Sequence, residues 1–321
     1  MQYLTVDESS LGQRLDNFLH KQLKGAPKTL VYRVIRSGEV RVNKGRAQAD
    51  TRLALGDSVR VPPLKLKTPA QADEAAAAPP REFPVLFEDE WLLAIDKPSG
   101  VAVHGGSGVS FGVIEQLRRA RPQAPFLELV HRLDRETSGV LLIAKKRSAL
   151  THLQDQFRAR GADKAVAKTY GALVLGEWPA ALKVIDIPLH KYLNADGERR
   201  VRTASAAAEQ AGEAKRAITL VSVVRRFAGF SLLDVNIKTG RTHQIRVHLA
   251  QAGHPIAGDD KYGDFEANRR LSRGEGLPFR LTRMFLHAKK LRFHHPCDER
   301  SLELVAPWPK ECEDIATAPG R

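Results

Sequence analysis

The stretch Thr68-Pro-Ala-Gln-Ala-Asp-Glu-Ala-Ala-Ala-Ala-Pro-Pro80 constrains the chain more than any other. It holds no large apolar residue and so cannot contribute to a core, and its Ala/Pro composition suits an interdomain linker. The chain is therefore expected to fold as two bodies: a module over residues 1–63, a linker over 64–83, and a larger domain over 84–321. A length of 321 residues is enough for both. Charge is divided along the same line. There are 51 Lys and Arg against 37 Asp and Glu, a formal charge of +14 and a pI near 9.9. Residues 1–63 hold eleven basic and six acidic side chains, which makes the module the more basic part for its size. A polyanion is the first class of partner to consider.

Other classes fall away. Hydrophobic residues at 42% and charged residues at 27% match neither a disordered nor a fibrous chain. No apolar run approaches the roughly 18–20 residues that span a bilayer, and Met1-Gln-Tyr-Leu-Thr-Val lacks the pattern of a signal peptide, so a cytoplasmic protein with no membrane partner is expected. Cys297 and Cys312 are the two cysteines, too few for a disulfide framework. His243 and His248 stand about 140° apart on a helix, an arrangement unsuited to sharing a metal ion. No Gly-x-x-x-x-Gly-Lys-Ser/Thr or Gly-x-Gly-x-x-Gly occurs, so neither a metal nor a nucleotide cofactor is expected.

In the module, Leu11, Leu15, Phe18, Leu19 and Leu23 have the spacing of one helix face, with Ser9 or Ser10 placed to cap it. Leu30, Val31, Val34 and Ile35 predict a second helix, with Arg33 and Arg36 facing outward together and Gly38 suited to end it. Val40-Arg-Val42, a tight turn at Asn43-Lys-Gly45, and Val59-Arg-Val61 read as short strands. Gly12-Gln-Arg-Leu-Asp-Asn-Phe-Leu19 and Ser37-Gly-Glu-Val-Arg-Val-Asn-Lys-Gly45 resemble the alpha-L (S4-like) RNA-binding domain of a small-subunit ribosomal protein. On that resemblance Arg14, Arg33, Arg36, Arg41 and Lys44 are candidate RNA contacts, since clustered cations gain from counterion release. The competing reading makes them ordinary solvated charges.

Beyond the linker, Pro84-Val-Leu-Phe87 and Trp91-Leu-Leu-Ala-Ile95 predict a hairpin. Phe126-Leu-Glu-Leu-Val130 and Val140-Leu-Leu-Ile-Ala144 read as strands bracketing the polar segment His131-Arg-Leu-Asp-Arg-Glu-Thr-Ser-Gly139, the most unusual stretch in the chain. There Asp134 lies between Arg132 and Arg135, cations that favour an ionised carboxylate, which can serve as nucleophile, base or metal ligand. A surface loop whose charges pair with one another is the plainer reading. Strand-end loops are, however, where rigid scaffolds present reactive groups. Ser148 to Arg160 and Thr242 to Ala252 are the two clear helices of this part.

His131-Arg-Leu-Asp-Arg-Glu-Thr-Ser-Gly139, Lys168-Thr-Tyr170 and Gly240-Arg-Thr-His-Gln-Ile-Arg-Val-His-Leu249, in this order, closely resemble the signature set of the RluA family of pseudouridine synthases. Ile95-Asp-Lys-Pro-Ser-Gly-Val-Ala-Val-His104 and His254-Pro-Ile-Ala-Gly-Asp-Asp-Lys-Tyr-Gly263 support the match, which runs from about residue 84 to 308. Leu142-Ile-Ala-Lys-Lys-Arg-Ser-Ala-Leu150 and the linker-joined order are most similar to the RluC branch, which modifies several uridines of large-subunit ribosomal RNA. The resemblance implies an α+β fold, a mixed and largely antiparallel sheet with flanking helices. It implies Asp134 as the essential nucleophile or base, Tyr170 packed on the base, and Arg241 paired with Asp134. Arg132 is the candidate to occupy the space of a flipped-out uridine. It further implies ribosomal RNA or a pre-ribosomal particle as the partner of a monomer that needs no cofactor. A non-catalytic RNA-binding assembly factor is the alternative.

Overall fold

The computed structural model describes residues 1–7, 10–23, 26, 28–64, 78–106, 111–159, 166–193, 199–227, 229–275 and 280–317. Most of the Ala/Pro-rich stretch, together with Ser9 and Arg160, lies outside them. The chain divides into two compact units, Met1–Ala77 and Ala78–Arg321.

The first unit packs α1 (Leu15–Gln22) and α2 (Lys28–Arg36) on an antiparallel sheet of β1 (Gln2–Thr5), β4 (Ser58–Val61), β2 (Arg41–Val42) and β3 (Gly45–Arg46), in that order. Leu15, Phe18 and Leu19 of α1 meet Val31, Val34 and Ile35 of α2 over Val59 and Val61 of the sheet. The helix begins later than the spacing predicts. Leu11 is 60% exposed, and Arg14 takes the N-cap position with no side-chain capping bond, so Ser10 is not the cap. Asn43 and Lys44 both take positive φ, 48° and 68°, which is the tight two-residue turn that matches strand twist.

In the second unit a ten-stranded sheet carries the fold. Its path runs β10 (Val184–Asp186), β13 (Ile218–Phe227), β14 (Phe230–Ile237), β9 (Ala167–Leu175), β15 (Leu286–His294), β8 (Ser138–Ala144), β6 (Leu92–Lys97) and β5 (Val85–Glu88). β7 (Glu128–Leu129) pairs with β8 and β16 (Ser301–Val305) with β15, and β11 (Leu189–Leu193) with β12 (Arg199–Thr203) forms a separate hairpin. Among the described strands only β15 and β8 run parallel. Two-residue periodicity explains why Leu92–Ile95 of β6 and Val140–Ala144 of β8 are apolar on both faces. Leu93, Ile95, Leu141 and Ile143 face one hydrophobic cluster, while Leu92, Ala94, Val140 and Leu142 face another. Each such fully buried Leu or Ile contributes about 2 kcal/mol.

Six helices are described here, not two: α3 (Val113–Ala120), α4 (Arg147–Arg158), α5 (Ala206–Gln210), α6 (Gln244–Gln251), α7 (Phe265–Ser272) and α8 (Lys310–Thr317). Of the added ones, α3 buries Val113, Ile114, Gln116 and Leu117, whereas α5 and α7 bury little. α7 is held at its start by Asp264, whose side chain accepts from Glu266 N and Ala267 N, and buries Leu271 alone, so its sequence shows no apolar stripe. Two glycines set the close packing around the site. Gly139, at φ 110°, lies against the backbone of Ala288, and a Cβ on Gly171 would run into the Trp308 ring.

Candidate active site

β7 and β8 separate at His131. Its ring replaces a backbone partner, Nε2 accepting the Leu142 N–H at 3.1 Å while the ring stacks on Phe157 at 4.7 Å. Burial pushes the His131 imidazole down to about 3, so it stays neutral and keeps its acceptor. The chain then leaves the sheet and turns, with Thr137 N–H donating to the Asp134 carbonyl at 3.2 Å.

A second turn clamps this one from behind. Lys97 is completely buried, and its ammonium donates to the carbonyls of Pro98 and Val101 at 2.8 Å each and of Arg135 at 3.0 Å. Gly100 N–H also donates to the Arg135 carbonyl at 2.9 Å, and Ser99 Oγ donates to that of Glu136 at 2.7 Å. Burial lowers Lys97 to about 7. Three carbonyls share this one donor group, which fixes the backbone beside Asp134.

The Asp134 carboxylate faces Arg246 and His243. Arg246 Nη1 lies 3.7 Å from Oδ2 and His243 Nε2 lies 3.9 Å from Oδ1. Arg246 is 4% exposed, and a buried guanidinium needs a fixed counter-charge. Asp259 supplies it through two bonds of 2.7 Å, Nε to Oδ2 and Nη2 to Oδ1. Burial acts to raise Asp259, but the bonds from Arg246 outweigh it and hold the carboxylate below its usual range. Asp259 is therefore the structural partner of the arginine nearest Asp134.

Tyr170 projects from β9 into the same cleft, which encloses about 720 Å³. Burial, and then the charge of Asp134, raise its hydroxyl above the phenolic range, so it remains protonated. Arg132 is exposed at the cleft wall. Arg241 also lines the cleft, but the expected pairing with Asp134 is not what the structure shows. Its Nε donates to the carbonyl of Arg216 at 3.1 Å, and its backbone N–H is taken by Gln244 Oε1 at 3.1 Å. The arginine on Asp134 is Arg246, one turn into α6. Its sequence signal was a charge set in the apolar run Ile245-Arg-Val247, a position that demands a buried partner.

Of the candidate RNA contacts, the structure gathers some and not others. Arg14 is bound through Nε and Nη2 to Asp16 at 3.1 and 2.8 Å, and Tyr32 donates its hydroxyl to the same carboxylate at 3.0 Å. Arg14, Tyr32 and Arg36 line a recess of about 580 Å³ together with Arg46, a residue the sequence reading missed. Arg33, Arg41 and Lys44 lie outside that recess; Arg33 and Lys44 are exposed, and Arg41 donates to the carbonyl of Lys44 at 3.2 Å.

Comparison with known proteins agrees with both halves. Residues 91–251 match the RNA pseudouridylate synthase family and residues 13–59 the S4 domain. A Pasteurella multocida (strain Pm70) protein named ribosomal large subunit pseudouridine synthase C is 48% identical over 318 residues, 98% of this chain and 93% of that protein. An Escherichia coli (strain K12) protein of the same name is 49% identical over 311 residues, 95% of this chain and 91% of its own length. Among solved structures, human RNA pseudouridylate synthase domain containing 4 is similar with a TM-score of 0.55 and 28% identity, covering 71% of this chain and 89% of that one. The α+β class is thereby shared.

Proposed function

Because the chain belongs to the RNA pseudouridylate synthase family, in its RluA-type form with an S4 domain, we propose that it converts uridines of large-subunit ribosomal RNA to pseudouridine, with Asp134 as the indispensable carboxylate. The protein is an isomerase. The reaction exchanges an N–C glycosidic bond for a C–C bond with no net hydrolysis, so it needs neither redox chemistry nor an energy donor. The observation that carries the reading is the convergence of Arg246 and His243 on Asp134 in a cleft walled by Tyr170.

In this reading Asp134 acts as nucleophile or base on an extruded uridine. Arg246 aims the carboxylate, and charge fixed in advance costs no reorganisation during reaction. Tyr170, protonated, offers its ring to the uracil face. Arg132 enters the space the base vacates, against an unstacking cost of a few kcal/mol. Arg241, engaged with a carbonyl at the cleft wall, is assigned to the RNA. Residues 1–63 tether the RNA, 64–83 link the two domains in sequence, and 84–321 perform the chemistry. The protein is assigned to the cytoplasm as a monomer without cofactor, acting on ribosomal RNA or a pre-ribosomal particle; no helix among the described residues is long and apolar enough to cross a membrane.

The test is release of tritium from the base carbon C5 of labelled uridines in large-subunit RNA taken from cells that lack the gene. The native protein should release label, and Asp134→Asn should lower turnover on the order of 10⁴-fold. Near-normal turnover in that variant would overturn the role of Asp134, and no release by the native protein would overturn the reaction.

A further inference from the structure

His243 has no role in the reading so far beyond its nearness to Asp134. We propose that it is a positioning residue for that carboxylate, locked as the Nε2–H tautomer by Tyr262, whose hydroxyl is in turn seated by the β11–β12 hairpin. The inference rests on the assignment of Asp134 as the reacting group.

The direction of each bond is set by the groups at both ends, a backbone donor on the Tyr262 hydroxyl and a carboxylate acceptor facing the imidazole. A backbone N–H can only donate, and that of Val201 in β12 donates to the Tyr262 hydroxyl at 3.1 Å. The same hydroxyl lies 2.8 Å from His243 Nδ1. The Val201 N–H takes one of the two lone pairs and leaves the phenolic proton free to point at Nδ1, while the Asp134 carboxylate facing Nε2 can only accept, which favours the ring proton on Nε2 and Nδ1 as the acceptor. Burial lowers the His243 imidazole, which is therefore neutral and carries a single proton. That proton sits on Nε2, the nitrogen 3.9 Å from Asp134 Oδ1.

Backbone geometry supports the assignment independently. His243 takes φ 52° and ψ 21° at the N-cap of α6, a left-handed conformation that costs energy in a residue with a Cβ. Asparagine would rest there more easily, so the imidazole is kept in spite of the local preference. Tyr262 also links both donors that face Asp134. Its ring lies 5.2 Å from the Arg246 guanidinium, and its N–H donates to Asp259 Oδ1, which also binds Arg246. One turn therefore sets the imidazole and the guanidinium together.

Substitutions separate this from a structural role. Glutamine can place its amide nitrogen near the position of Nε2, whereas asparagine suits the backbone but is too short. His243→Gln should keep kcat within about tenfold of native, while His243→Asn should lose about a hundredfold in kcat with KM little changed. Tyr262→Phe keeps the ring beside Arg246 and removes only the hydroxyl. Long-range proton–nitrogen NMR spectra of histidine-labelled full-length protein should show His243 as Nε2–H in the native chain and as a tautomer mixture in Tyr262→Phe. An Nδ1–H form in the native protein, or equal activity of the glutamine and asparagine variants, would overturn the proposal. If Asp134→Asn is inactive in the same assay while His243→Asn is fully active, the positioning role falls and the isomerase reading stands. If Asp134→Asn is active, the reading beneath it falls instead.

Discussion

Arginines serve opposite purposes in the two units. In the second, Arg246 is 4% exposed and its guanidinium is held between Asp259 and Asp134. In the first, Arg33 and Arg36 stand exposed on the outer side of α2. An interior charge acts by geometry in a low dielectric, where salt has little access, whereas surface charges act by number and are screened within about 8–10 Å at ordinary ionic strength. The net charge of +14 is thus two unlike properties added together.

The largest expected effect tests the interior half. Arg246→Met leaves the Asp259 carboxylate buried without its counter-charge and should cost about 3–5 kcal/mol in urea unfolding, with turnover lost as well. Arg246→Lys should restore little, since an ammonium cannot make the two parallel bonds to Asp259. Full rescue by lysine would break the comparison, because charge alone would then suffice in the interior too.

Lys97→Met sharpens the same point at a residue outside the cleft's ion pairs. Three carbonyls lose a shared donor, and removal of a buried partner costs about 2 kcal/mol. Because one of those carbonyls belongs to Arg135, next to Asp134, kcat should fall further than KM rises. A variant that is destabilised but has native kcat would make Lys97 a fold residue only.

Acid should expose a third difference. His287 is fully buried; Arg283 Nη2 donates to Ser138 Oγ at 2.7 Å, and that hydroxyl meets His287 Nδ1 at 2.9 Å. His287 Nε2 faces the Ala306 carbonyl at 3.4 Å, which can only accept, so Nδ1 takes the Ser138 proton, and burial pushes the imidazole down to about 4. Between pH 6.5 and 4 the unfolded chain takes a proton that the native state refuses, so stability is present above pH 6.5 and is lost as pH falls, by about 1.4 kcal/mol per unit. Urea unfolding should show about 1.6 kcal/mol lost between pH 6.5 and 5 from this group. His287→Asn should flatten that part of the profile, and an unchanged slope would mean that the imidazole titrates as it does in water.

How much of this was legible in the sequence follows from what each residue answers to. The apolar runs of β6 and β8, the Asn43-Lys44 turn and the polar segment around Asp134 are local patterns, and the structure places them where those patterns lead. Arg246 was passed over for Arg241 because choosing between two arginines five positions apart requires knowing which side of α6 meets Asp259, thirteen residues further on. Lys97 sat inside a quoted motif, yet its three acceptors lie in two different turns, and no spacing rule encodes them. The short helices α5 and α7 escaped because an element with one or two buried residues has no periodicity to read.

The smallest effect tests the surface half. Arg33→Ala and Arg36→Ala should each change folding stability by less than about 0.5 kcal/mol, as exposed substitutions do. If both meet phosphates, each should lower the slope of log affinity against log salt by about 1, read from RNA binding at several salt concentrations. Arg14 should behave differently, because it already holds the Asp16 carboxylate by two bonds and lies over a side chain only 3% exposed. Part of its charge is spent within the fold, so Arg14→Ala should lower the slope by less than Arg36→Ala while destabilising the module more. Equal slopes for the two variants would mean that a cation bonded to a carboxylate engages RNA as fully as an exposed one, and the division between charges that act by geometry and charges that act by number would fail within a single recess.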